Sequence, residues 1–277
     1  MTIKNLVVTS VILLIGINIK AQQIDTTQKT SLETVLINAK RYPLNTRVGE
    51  YNQPLWSTIR MFPSTRVYVM NPPGSAMYER WFDIRERKGG APAQVRMRDE
   101  FTFGLGKRLQ LDLYSHTVLD GKNGSHTFGW RGFSWELRYA LANWGKIWGN
   151  PTLYFEHKLL NGRQGFEPKI LLGDRLGKNG IWGLNTIYES NFGKTLEERE
   201  PEFATTGSYA QILNTAFTLG VSSMYRHNFI DNSNELYFGP VAQYRFSGKA
   251  YLSVEYMPGL TDASLASRSM FIFGWRF

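Results

Sequence analysis

From about residue 74 to the end of the chain, apolar and polar side chains alternate with a period of two. Leu109, Leu111 and Leu113 interleave with Arg108, Gln110, Asp112 and Tyr114, and Phe133, Trp135, Leu137, Tyr139 and Leu141 interleave with Gly132, Ser134, Glu136 and Arg138. Residues two apart on a strand share a face, so each segment has one apolar and one polar face. Breaks rich in Gly, Asn, Pro and Lys divide the region into twelve predicted strands, near 76–86, 94–105, 107–118, 131–142, 151–160, 165–175, 181–191, 202–212, 215–227, 235–246, 249–257 and 266–277. Most are about the nine to eleven residues of a tilted membrane-crossing strand, whereas a globular strand has about five or six.

Alternation alone fits a β-sandwich as well as a membrane barrel. Strand length, an aromatic final strand and the N-terminal leader select an all-β, transmembrane, antiparallel up-and-down barrel over 74–277, with apolar faces toward lipid and polar faces toward the lumen. The polar phase makes Arg96, Arg98, Glu100, Arg108, Asp112, Glu136, Arg138, Glu156, Lys158, Lys169, Arg175, Arg226, Arg245 and Glu255 the expected lumen-lining charges. Both signs occur on adjoining strands, which predicts cross-strand ion pairs. His157 is an exception, on an apolar face with Leu153, Phe155 and Leu159.

With both termini in the periplasm, "KGGAPAQ", "DGKNGSH", "GKTLEEREPE", "NFIDNSN" and "PGLTDASLA" fall outside, while the short "GK" near 106, "LN" near 213 and "SGK" near 247 fall inside. That matches the short-turn, long-loop asymmetry of outer-membrane barrels. Two connections disobey it: "NWGKIWGNP" is long for an inner turn and "NGRQG" short for an outer loop.

Upstream the pattern changes. Residues 1–21 have an early Lys, an apolar run from Leu6 to Ile19 and Ala21 as a small cleavage residue, the layout of a secretory signal peptide. Residues 22–73 show little periodicity and read as an extended periplasmic linker. The chain has no cysteine, which excludes disulfides and thiolate metal sites. Its formal charge is +9, but the basic residues are scattered among acidic ones, so nucleic acid is not an expected partner.

Three stretches resemble known families. The last strand, with Phe271, Phe273, Trp275 and a terminal Phe277, is similar to the C-terminal signal that the barrel-assembly machinery reads in bacterial outer-membrane proteins. That resemblance implies an outer-membrane address, with membrane lipid and the assembly machinery as partners. Within the linker, "LETVLINAKR" (Leu32 to Arg41) resembles the opening of the plug of TonB-dependent transporters, although the chain has no room for a 22-stranded barrel. Finally, a Pro-Pro-Gly opening, a Trp-bearing strand and an R-x-E-x-x-x-G-x-x-x-R-x-Q-L hairpin, carried by Arg98, Glu100, Gly104, Arg108, Gln110 and Leu111, resemble a widespread family of outer-membrane barrels. This resemblance implies fold and address without a reaction.

Enzyme chemistry is not expected, although some small barrels hydrolyse lipids. The segments at His116, His126 and His227 do not match the His-x-Ser of the outer-membrane phospholipase, and Ser125 beside His126 reads as a solvated loop pair. No H-E-x-x-H spacing occurs, and "EEREPE" (Glu197 to Glu202) reads as a charged loop tip rather than a calcium site. No cofactor is implied. The expectation is a small passive channel for polar or ionic solutes; a sealed structural or ligand-binding barrel is the alternative, because twelve strands lie between filled and open barrels.

Overall fold

The computed structural model describes residues 42–122, 125–193 and 199–277. A two-residue ladder of β1 (Arg47–Val48) and β2 (Gln53–Pro54) and a 3-10 turn (Leu55–Thr58) precede twelve long strands. These are β3 (Ala76–Glu86), β4 (Gln94–Gly106), β5 (Leu109–Lys122), β6 (Ser125–Ala140), β7 (Thr152–Leu160), β8 (Arg163–Leu176), β9 (Gly180–Phe192), β10 (Glu200–Ile212), β11 (Phe217–Asn228), β12 (Ser233–Arg245), β13 (Ala250–Pro258) and β14 (Ser267–Arg276). Each pairs antiparallel with its sequence neighbours, and β14 closes on β3 with Trp275 opposite Tyr78. Every predicted strand is present.

Alternation puts Phe101, Leu113, Phe133, Leu153, Ile170, Leu219, Phe238 and Trp275 on the outer surface as exposed side chains. The opposite phase is buried and polar: Glu100, Thr102, Asp112, Glu136, Arg138, Glu156, Ser222 and Gln243 are all inside. Water could not stabilise so broad an apolar exterior, whereas hydrocarbon can, and an Arg or Lys on that face would cost about 2–4 kcal/mol at midplane. The C-terminal rings follow this rule: Phe273, Trp275 and Phe277 are exposed outward, while Ile272 and Arg276 are buried inward. His157 lies on the outer face and stacks on Phe166 with centroids 4.8 Å apart.

The β5–β6 hairpin is longer than expected, since β6 begins at Ser125 rather than near 131. A register shift between His116 and Thr117 explains the difference. Arg131 is the extra residue of this bulge. A bulge breaks the strict period of two, so the sequence pattern reads as a strand end there.

The larger departure is the stretch from Tyr42 to Pro73, expected to be a linker outside the barrel. It lies inside the lumen. Leu44, Val48, Leu55, Trp56, Phe62, Tyr68, Val69 and Met70 are all buried, packed in one cluster with the wall residues Met77, Ala140, Ile181, Val241 and Tyr251. The segment enters and leaves at the end of the barrel where β3 begins and the C-terminal strand β14 ends: Arg245 donates to the Tyr42 carbonyl, and Gly74 N–H donates to Gly104 O near the end of β4. Its apolar residues show no period because they fill an irregular interior instead of one face of a regular element. The leader and "LETVLINAKR" lie outside the described residues.

The long "NWGKIWGNP" connection belongs to the same arrangement. Trp144 is buried edge-on against Trp56 and Tyr68, each at 5.2 Å, and its backbone N–H donates to Tyr51 O. The turn is long because it covers the inserted segment.

The strand count gives a topology test. A tag between Thr261 and Asp262 should be labelled on intact cells, and one between Ser247 and Gly248 only after permeabilisation. The reverse pattern would invert the barrel.

Candidate functional site

The lumen divides into a filled half at the terminal end and an open half at the other. The divider is the tip of the inserted segment, Arg60 to Arg66. Arg60 donates to Glu79 at 2.6 Å and to Glu100 at 3.1 Å. Arg66 donates to the Tyr114 hydroxyl at 2.7 Å and lies 3.5 Å from Glu136 and 3.6 Å from Glu100. Arg138 completes the network through Asp112 at 2.7 Å and through Glu136. Every one of these side chains is buried. Ionised groups can be held there only because each carboxylate faces a guanidinium. Two of those guanidiniums come from the segment, so an empty barrel would leave Glu79, Glu100 and Glu136 short of compensating charge.

Polar contacts to the segment's backbone fix its path. Gln110 Oε1 accepts from the Met70 and Asn71 N–H groups at 2.7 and 3.1 Å. Asn185 Oδ1 accepts from Arg66 N–H while its amide donates to Arg66 O, both at 2.7 Å. The Thr65 hydroxyl meets the Ser208 hydroxyl at 2.8 Å, and Arg276 and Ser253 donate to the carbonyls of Thr58 and Arg60. Near the terminal rim the Tyr51 hydroxyl accepts from Arg108 N–H at 2.9 Å. The Tyr68 hydroxyl donates to Ala142 O at 2.7 Å, and burial raises that phenol above its usual range, so it remains a donor.

The hairpin motif picked out by resemblance acquires a physical meaning here. Glu100 binds Arg60, Gly104 bonds the turn at Gly74 and Ser75, Arg108 meets Tyr51 and Gln110 holds Met70 and Asn71. Gly104 must lack a side chain, because a Cβ there would overlap the Pro72 carbonyl oxygen. Glu100, Gly104, Arg108 and Gln110, on β4, β5 and the turn between them, form the docking track for the inserted segment.

Above the tip lies a cavity of about 400 Å³, floored by Pro63, Ser64 and Arg66. Of the expected lumen charges, Arg96, Arg98, Glu156, Lys158, Lys169 and Arg226 line it. Glu100, Asp112, Glu136 and Arg138 sit below in the ion-pair network, and Glu255 accepts from Ser64 at 2.9 Å. Arg108, Arg175 and Arg245 lie at the terminal rim, bonded to carbonyls of Ala140, Lys178 and Thr215 respectively. The sequence reading missed Arg60 and Arg66, which belong to no strand. It also missed Glu79, Asp83 and Arg268, which follow the lumen phase of β3 and β14 and were readable from alternation.

The class follows from this geometry: a twelve-stranded transmembrane barrel of outer-membrane type, with its own N-terminal segment folded into the lumen. No protein-family model matches the chain, and neither does any curated protein. Among solved structures it is similar to the NanC porin, at 16% identity and a TM-score of 0.50 over 72% of this chain and 98% of that one. It is also similar to the KdgM porin, at 10% identity and a TM-score of 0.50 over 73% of this chain and 99% of that one. These likenesses concern the fold.

The ion pairs make a stability prediction. Glu100→Ala leaves buried guanidiniums short of a partner and should cost about 3–5 kcal/mol. Replacing the group together, with Arg60→Met, Glu79→Gln and Glu100→Gln, should cost clearly less. Denaturant unfolding of the detergent-solubilised barrel, read by heat-modifiable gel migration, compares the two. Equal losses would mean that the charges are not coupled.

Proposed function

We propose that this protein is a channel of the bacterial outer membrane for small polar or ionic solutes, occupied in this state by its own segment Tyr42–Pro73. The observation that carries the reading is the lumen itself, whose upper half is a charged space of about 400 Å³. The NanC and KdgM porins, which share the fold, are porins by name. Solute passage requires the segment to shift. Its ends both lie at the terminal end of the barrel, so it can move without threading through a closed loop. The buried Arg60 and Arg66 pairs favour a second reading, a sealed barrel that binds a ligand in the upper space.

Planar-bilayer recording separates the two. Wild-type barrels should show low conductance, and Arg60→Gln with Arg66→Gln should raise it several-fold. The released path should also prefer cations, because Glu79, Glu100, Asp112 and Glu136 would line it. If neither protein conducts although both migrate as folded barrels, the sealed reading takes first place.

The chain also fits the outer-membrane family with the Pro-Pro-Gly opening and the Arg98–Leu111 hairpin. Its final strand fits recognition by the barrel-assembly machinery, supported by the outward rings of Phe273, Trp275 and Phe277. Trp275→Ser with Phe277→Ser should therefore sharply lower the amount of heat-modifiable barrel in cells. Wild-type amounts would remove the assembly role.

A further inference from the structure

We propose that the upper cavity is a binding site for a small oxyanion, a solute bearing carboxylate or phosphate groups, on a cationic wall built by Arg96, Arg98 and Arg131. All three line the cavity. They lie on β4 and β6, the two strands that flank β5: Arg98 is in register with His116 on β5, His116 is in register with Gly132 on β6, and Arg131 is bulged out beside Gly132. Arg96 follows two residues before Arg98 on the same face of β4.

Their lack of carboxylate partners sets them apart. The other cations around the cavity are committed: Arg85 and Arg268 to Asp83, Lys158 and Lys169 to Glu167, Arg226 to Glu202 and Arg163 to Glu200. Among the described residues, no Asp or Glu lies within ion-pair distance of Arg96, Arg98 or Arg131. Among the described residues Arg96 donates only to the Gln94 amide oxygen, at 2.6 Å, and the Arg98 guanidinium lies 4.2 Å over the Trp81 ring. Asp83, opposite Arg96, is already shared between Arg85 and Arg268. The cavity floor adds a second sign. Arg66 is buried, and its Nη1, 3.6 Å from Glu100, makes no hydrogen bond among the described residues.

Unpaired guanidiniums in a recess walled by protein attract anions more strongly than exposed ones, since low-dielectric walls focus the field. The planar fork of Arg suits the paired oxygens of carboxylate and phosphate. The volume, about 400 Å³, is enough for a solute of roughly monosaccharide size. This inference names a solute class for the channel reading, yet the site would exist whether or not the lumen conducts.

Calorimetric titration of the purified full-length barrel in uncharged detergent at low salt tests it, with citrate and inorganic phosphate as probes and sucrose as the neutral control. Saturable binding of citrate or phosphate, but not sucrose, is expected. Arg96→Gln with Arg98→Gln, and separately Arg131→Gln, should weaken it by about tenfold or more. Arg175→Gln, at the opposite, terminal rim and outside the cavity, should leave it nearly unchanged. The stronger probe tells carboxylate from phosphate recognition. No saturable binding to wild type, or unchanged affinity in an Arg96/Arg98 variant that still migrates as a folded barrel, would overturn the proposal. Conductance of the wild type and of the Arg60→Gln, Arg66→Gln barrel keeps the two ideas separate. Binding without conductance retains the site and removes the channel, and conductance without binding does the reverse.

Discussion

Everything inside this barrel depends on one electrostatic constraint: Glu79, Glu100 and Glu136 are buried in the wall, and the cations that neutralise them include Arg60 and Arg66 from the inserted segment. A buried carboxylate without a partner is costly, and so is a buried guanidinium. The wall and the segment therefore need each other. The Trp144 cover, the Gly104 approach and the Gln110 clamp all follow the path that these pairs define.

This constraint also divides the lumen by function. Below the tip of the segment, charges of opposite sign are matched and packed among apolar side chains. Above it the matching is incomplete, and the surplus is positive. A purely structural filling would have no reason to stop halfway or to leave Arg96, Arg98 and Arg131 without acidic partners. The asymmetry is what supports the proposed anion site in the upper space and a closure in the lower half.

The barrel was legible in the sequence because a transmembrane strand has a strict period of two and a narrow range of lengths. Those two regularities located all twelve strands and the inward phase of residues such as Glu136 and Arg226. Reading failed where period ends. The bulge at Arg131 hid the start of β6. The inserted segment has almost no repeating structure, so Trp56, Phe62 and Val69 looked like sparse apolar residues in a polar linker. One local sign was present: "NWGKIWGNP" was too long for its side of the barrel, and a long turn at that end is what a lumen filled from below requires. The hairpin motif likewise marked strands by resemblance, but its role as a docking track is visible only with the segment folded against it.

The central claim is that Tyr42–Pro73 occupies the lumen of the assembled protein in the membrane. The chain has no cysteine, so a single engineered pair reports without background. The Thr65 and Ser208 hydroxyls are 2.8 Å apart, one on the segment and one on the inner face of β10. Thr65→Cys with Ser208→Cys, oxidised in intact outer membranes, should form a disulfide in nearly all molecules, while Thr65→Cys with the outward Leu219→Cys should form none. A folded Thr65/Ser208 variant whose thiols stay free and react with a small alkylating reagent would contradict the account.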